Sequence, residues 1–206
     1  MKPEHVPVMV QAVIDYLITE AGGVYLDCTV GAGGHAAEIL KATSPDGHLI
    51  GMDVDNQALA LAEKNLSLYG NRVSLTHGNF ANLDQPLNQQ GVSEVDGVLM
   101  DLGVSSIQLD SPDRGFSFRQ SGPLDMRMDQ TAGRPVSRDL NEKDASELAE
   151  IIREFGEERW SKRIAAGIVE ARKKSPIKTT EQLAEIVKKS IPRSSWRIHP
   201  ATRTFQ

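Results

Sequence analysis

Through the first half of the chain, short apolar runs alternate with helix-length stretches. Val24-Tyr25-Leu26-Asp27-Cys28-Thr29 is an apolar run ending in a glycine-rich turn, and helix is predicted after it over 35–43. His48-Leu49-Ile50-Gly51-Met52-Asp53 is a second run. Ala58 to Leu66 consists mostly of strong helix formers and stops near Gly70. Val73-Ser74-Leu75-Thr76 alternates as a strand does, and Val95 to Asp101 is a fourth run. Strands separated by helix-length segments predict βαβ units and a doubly wound parallel sheet with helices on both faces, an α/β fold. In such sheets, sites gather at the carboxyl ends of the strands. Asp27 to Gly34, Asp53, His77 to Phe80 and Asp101 fall there.

After Asp101 the pattern changes. Residues 102–140 are rich in Gly, Ser, Pro, Asp and Arg and have little periodicity, which predicts a long ordered loop or a hinge into another subdomain. Helices follow. Asn141 is placed to cap one over 142–155, a second is predicted over 157–173, and a third runs from Thr179 or Thr180 to before Pro192. Thr179 and Gln182 have capping-box spacing. Leu183, Ile186, Val187 and Ile191 share one face of that third helix. No strand is evident after Asp101, so the fourth strand, normally central in this type of sheet, is expected to be an open edge. The expectation is a chain shorter than its natural parent, ending in a helix that starts near Ala201.

Composition adds bounds. The chain has 206 residues, 39% apolar and 25% charged, enough for one domain or a domain with an appendage. No stretch approaches the roughly eighteen apolar residues of a membrane span. No secretory signal is apparent, and Cys28 is the single cysteine. The cytoplasm is the expected location, and no metal site is expected. Net charge is −5, unevenly distributed. From Arg159 to Gln206 there are twelve Lys or Arg against three acids, whereas residues 1–158 carry −14. Both a polyanion-binding surface and solvated helix faces account for that split.

The chemistry starts at the loop after the first strand. A glycine turn there lets the backbone approach a ligand at a helix N-terminus, and Asp53 can accept hydrogen bonds from ribose hydroxyls. Gly31-Ala32-Gly33-Gly34-His35-Ala36 also matches the relaxed dinucleotide pattern G-x-G-x-x-G/A, so loop and acid indicate an adenosine cofactor without choosing between S-adenosylmethionine and NAD(P). Two details favour S-adenosylmethionine. Asp27 ends the first strand, where a carboxylate suits a sulfonium and an amine but repels a pyrophosphate. Asn79-Phe80 follows the third strand, where Phe80 can pack on an adenine face or serve as a core residue.

Asp101-Leu102-Gly103-Val104-Ser105-Ser106 brings in a family. Gln108-Leu109-Asp110, Arg114-Gly115-Phe116-Ser117-Phe118 and Gly122 to Asp129 belong with it. So do His5-Val6-Pro7-Val8, Gly156-Glu157-Glu158-Arg159 and the final His199 to Gln206. With these blocks in order, the chain closely resembles the bacterial small-subunit ribosomal RNA (cytosine-N4)-methyltransferases. The resemblance implies a class I, Rossmann-like methyltransferase fold with a helical insertion. It also implies methylation of the exocyclic N4 of a cytidine in the decoding region, with S-adenosyl-L-methionine as cofactor. Cofactor contacts are implied at Gly33, Gly34, His35, Asp53, Phe80, Asp101 and Gln108. The partner implied is small-subunit ribosomal RNA or the subunit itself; the oligomeric state is left open. On this reading 1–108 is a partial cofactor domain, 109–200 a helical RNA-recognition insertion, and 201–206 the start of a return helix.

Amino-methylating enzymes commonly place an Asn/Asp/Ser-Pro-Pro-aromatic turn after the fourth strand. Asp101-Leu102-Gly103-Val104 stands there instead, and Asp101 or a carbonyl of the turn is the candidate acceptor for the reacting amine. Ser105 and Ser106 read as caps. Arg114, Arg119, Arg127, Arg134 and Arg138 are interleaved with Asp110, Asp113, Asp125, Asp129 and Asp139, and internal pairing is at least as good a reading for most of them as RNA contact. The basic helices from Arg159 onward are better candidates for RNA, with Trp160 read as core and Trp196 as the surface aromatic. His5, His48 and His77 read as structural or loop residues. An NAD(P)-dependent oxidoreductase and an inactive RNA-binding fragment of the methyltransferase fold remain as alternatives.

Overall fold

The computed structural model describes residues 7–206; His5 and Val6 lie outside them. The chain divides into two compact units, the first ending at Gly103 and the second beginning at Val104.

The first unit is built on a four-stranded, all-parallel sheet. Its strands are β1 (Val24–Asp27), β2 (His48–Asp53), β3 (Val73–His77) and β4 (Gly97–Leu99), in the order β3-β2-β1-β4. Each predicted strand is present, with the fourth cut to its central residues. The helices are α1 (Val10–Leu17), α2 (Gly34–Ala42), α3 (Asn56–Leu66) and α4 (Asp84–Gln89).

Alternation along β1 and β2 sends side chains to opposite faces. Tyr25 and Leu49 pack with Ala36, Ile39 and Leu40 of α2 and Leu59, Ala62 and Leu66 of α3. Leu26, Cys28, Ile50 and Met52 pack on the other face with Leu83, Leu87, Val92 and Val95. The two central strands are therefore covered on both sides, which makes their sequences continuous apolar runs. The chain steps β1, β2, β3 in one direction, then returns past β1 to lay down β4. That reversal creates a switch point between β1 and β4, where the loops that follow them diverge. β4 is an edge, as expected, with Val98 and Met100 about half exposed.

The second unit is helical: α5 (Ser106–Asp110), α6 (Val136–Glu142), α7 (Ala145–Glu154), α8 (Ser161–Arg172) and α9 (Thr180–Ser190). Its core joins Leu148, Ile152, Ile164, Ile168, Leu183 and Val187 to Leu124, Ala201 and Phe205 from the irregular segments. The capping box of Thr179 and Gln182 forms as spaced.

Two expectations are corrected. Asn141 does not cap a helix; it lies inside α6. Its amide donates to the carbonyls of Ser137 (2.7 Å) and Ile177 (2.8 Å) and accepts the Ile177 N–H (2.9 Å). Lys143 is extended, so the helix expected over 142–155 starts only at Ala145, where Asp144 caps α7 through a box with Glu147, and α6 forms in a stretch read as loop. Trp196 is not a free surface aromatic. It is half-buried against the core, and its indole N–H donates to the Ile191 carbonyl (3.3 Å). Trp160 also packs against the core, with Arg159 and Arg163 over its ring at 5.3 and 5.4 Å.

Candidate active site

The loop between β1 and α2 is held on three sides. At its start the Cys28 N–H donates to the Leu99 carbonyl of β4, and the Val30 N–H to the Met52 carbonyl of β2. At its centre Gly31 has φ +55°, and its N–H donates to Asp53 Oδ2 at 2.8 Å. At its end Gly33 is left-handed (φ +87°), and an added Cβ would meet Leu66 at 3.0 Å. A Cβ on Gly34 would lie 2.5 Å from the Pro7 ring. These glycines are therefore required by backbone geometry and close packing. Among the described residues no side chain caps α2, so its first-turn amides remain available to an anionic group.

Three carboxylates stand around the switch point, each in a different state. Asp53 is braced: Oδ2 accepts from Gly31, and Oδ1 accepts the Asp55 N–H at 2.9 Å. Each oxygen keeps further acceptor capacity for a hydroxyl. Asp27 is buried. Its Oδ1 accepts the Thr29 N–H at 3.1 Å, while Oδ2 has no hydrogen-bond partner among the described residues. Burial pushes its pKa up to about 6; the Thr29 N–H and His35 pull the other way, and Asp53 and Asp101 add to the rise. Asp101 is exposed, its side chain 58% accessible, with an oxygen 3.9 Å from His35 Nδ1. The other ring nitrogen, Nε2, lies 2.8 Å from the Val8 carbonyl, so it carries the proton and donates.

Gly33, Gly34, His35, Asp53 and Asp101 thus converge at the carboxyl ends of β1, β2 and β4. Phe80 lies after β3 and is 39% exposed, so it is an accessible ring and not a core residue. Asn79 orders that turn by accepting the Ala81 N–H. Gln108 belongs to the second unit. It is buried there and closes a capping box with Ser105, which confirms Ser105 as a cap. Sequence reasoning missed the brace between Thr29 and Asp101, whose N–H donates to the Thr29 hydroxyl at 2.7 Å. Nothing in the sequence marked Val8 as the partner of His35.

The site fits a cofactor that carries an amine, a carboxylate and a ribose. An unpartnered buried carboxylate oxygen calls for a donor, and a cationic amine supplies one. Uncapped helix amides suit a carboxylate, and the braced Asp53 suits vicinal hydroxyls.

A family model described as the MraW methylase family matches residues 2–206. The chain belongs to the MraW methylase family. Two relatives named ribosomal RNA small subunit methyltransferase H are similar over 98% of this chain. The one from Geotalea uraniireducens is 52% identical over 204 residues, and the one from Symbiobacterium thermophilum is 51% identical over 204 residues. The chain spans 65% and 64% of their respective lengths. Among solved structures, NSun6 from Pyrococcus horikoshii is 24% identical, over 49% of this chain and 25% of that one, with a TM-score of 0.38.

Membership of a methylase family accounts for an acid at the end of β1, which a pyrophosphate cofactor would disfavour. The loop arginines also resolve. Arg127 pairs with Asp125 through two hydrogen bonds (2.7 and 2.9 Å). Arg134 pairs with Asp139 and Glu142, and Arg138 with Glu142. Arg114 is buried and donates to the carbonyls of Arg127 and Met128. Internal pairing, not an open cationic face, is the use made of these four.

Proposed function

We propose that the protein to which this chain belongs transfers a methyl group from S-adenosyl-L-methionine to the N4 amine of a cytidine in the decoding region of small-subunit ribosomal RNA. The cytoplasm is its proposed place of action. The observation that carries the reading is a buried Asp27 oxygen with no hydrogen-bond partner among the described residues, set across the switch point from an exposed Asp101. One carboxylate faces inward, suited to hold a cation, and the other outward, suited to meet a substrate. The relatives' printed names support the ribosomal RNA substrate.

When bound, the cofactor supplies an electrophilic methyl on a sulfonium. Asp27 holds its amine, the first-turn amides of Gly34 and His35 its carboxylate, Asp53 its ribose hydroxyls, and Phe80 its adenine face. The Gln108 contact rests on the resemblance alone. Asp101 receives a hydrogen bond from the cytosine amine as that nitrogen becomes tetrahedral, and then takes its proton. The amine lone pair is delocalised into the ring, so in-line placement is the main task of the site. The base must be out of its stack for that placement.

The decisive experiment is methyl transfer from labelled cofactor onto small ribosomal subunits, with the modified base identified by mass spectrometry. A methylated position other than cytidine N4 overturns the assignment. Calorimetric titration with S-adenosylmethionine and with NAD separates the methyltransferase from the oxidoreductase alternative. Cofactor binding without methyl transfer by the relatives' full-length form leaves the inactive RNA-binding reading.

A further inference from the structure

Of the five arginines between α5 and the end of α6, one is not consumed by the internal pairing described above. Arg119 is exposed and forms no ion pair among the described residues. Its neighbour Phe118 stacks on His199, with ring centroids 4.4 Å apart and planes at 25°. Phe205 braces Phe118 edge-on at 5.0 Å. The Ala201 N–H donates to His199 Nδ1 at 3.3 Å and fixes the imidazole in place. His199 is nonetheless exposed. Arg197, two residues before it, is exposed and likewise makes no ion pair among the described residues. No acid occurs between Ile186 and Gln206, whereas the chain there carries five Lys or Arg.

An ordered aromatic pair with an exposed imidazole, next in sequence to arginines that form no ion pair among the described residues, has the composition of a single-strand nucleic-acid platform. An acidic peptide would satisfy the guanidiniums but has no flat ring for the imidazole. We propose that the Phe118–His199 stack, with Arg119 and Arg197 beside it, is a docking platform for single-stranded RNA. One unpaired base stacks on His199, and the two guanidiniums bind the flanking phosphates. This rests on the RNA-substrate part of the proposed function and lies wholly within the second unit.

The test uses the full chain without cofactor. Fluorescence anisotropy is read with a labelled twelve-nucleotide pyrimidine RNA, the same strand with abasic positions, and a twelve-residue polyglutamate. RNA is expected to bind more tightly than the abasic strand, and polyglutamate most weakly. Arg119→Ala with Arg197→Ala is expected to raise the RNA Kd at least tenfold at about 0.1 M salt. It should also flatten the slope of log Kd against log salt by about 1.4, roughly 0.7 for each phosphate no longer neutralised. His199→Ala is expected to erase the preference for the base-bearing strand, and His199→Phe to restore it. Lys64→Ala, on α3 of the first unit, controls for net charge and should change little. Unchanged RNA affinity in the double arginine variant overturns the proposal, as does equal affinity for the abasic strand. Polyglutamate binding as tight as RNA and equally sensitive to the variants assigns the surface to a protein partner instead. S-adenosylmethionine titration of the same variants stays unchanged if they act here; its failure in the unaltered chain counts against the cofactor reading and not against this platform.

Discussion

The Thr29 hydroxyl accepts the backbone N–H of Asp101 at 2.7 Å and so ties the loop after β1 to the turn after β4. This side chain extends the β1–β4 pairing, which the Cys28 N–H to Leu99 carbonyl bond continues past the strands, onto the turn carrying Asp101. Thr29→Val keeps the shape and removes the acceptor. The expected cost is about 1 kcal/mol of stability, the usual net worth of one hydrogen bond, with S-adenosylmethionine affinity reduced several-fold. Thr29→Ser should retain both. Thermal unfolding and calorimetric titration read the two effects.

Asp27 is expected to make both stability and cofactor binding depend on pH. Its pKa is raised to about 6 in the folded chain from an ordinary 3.8, so the folded state holds this proton more tightly than the unfolded one. The contribution favours folding at low pH and is lost as pH rises from about 4 through about 6, by on the order of 3 kcal/mol. Asp27→Asn is expected to remove that slope in urea unfolding. Pairing with a cationic amine requires the ionised form, so cofactor affinity should rise through about pH 6, and be about tenfold weaker at pH 5 than at its plateau. An equally steep rise in Asp27→Asn would assign the effect to another group.

Gly33→Ala introduces a side chain at φ +87°, with Leu66 at 3.0 Å from the new carbon. The expected loss is about 1–2 kcal/mol in denaturant unfolding, together with more than tenfold weaker cofactor binding. A Gly33→Ala protein that binds as tightly as the parent would show that the loop is not the cofactor cradle.

Asp53→Ala removes the acceptor for the Gly31 and Asp55 N–H groups as well as the one proposed for ribose. Cofactor Kd is expected to rise at least tenfold. Titration with S-adenosylmethionine and with its 2′-deoxy analogue separates the roles. The parent should discriminate between the two, and Asp53→Ala should not.

The Cys28 thiol is buried in the sheet core, and burial pushes its pKa up. An aromatic disulfide reagent is expected to modify it only at the rate of unfolding, with a large acceleration in denaturant. Rapid labelling of the native chain would show that the face of the sheet carrying Leu26 and Ile50 opens readily.

Much of this was legible in the order of residues. The strand–helix alternation through residue 101, the glycine loop, Asp53 and the Thr179 cap all arise from local periodicity, turn chemistry and side chains a few positions apart, and each sits where it was expected. The break at Lys143 was not legible, because Asn141 is committed to Ile177, a partner 36 positions away. The exposure of Trp196 was misread for the same reason: its burial depends on a core that the local sequence does not display.

What the sequence by itself determined is the four strands, the main helices between and after them, and the chemical types at their ends. Those are set by the 2.0 and 3.6 residue periods and by backbone constraints at glycine. What only the tertiary structure decided is which groups meet and in what state. The order β3-β2-β1-β4 sets Asp27 and Asp101 at the carboxyl ends of neighbouring strands and leaves one Asp27 oxygen buried without a donor among the described residues. Internal carboxylates take up Arg127, Arg134 and Arg138, backbone carbonyls take up Arg114, and Arg119 is left exposed beside a stacked pair whose two rings are distant in sequence. The physical reason is that desolvation and pairing depend on neighbours in space, which a linear pattern does not contain.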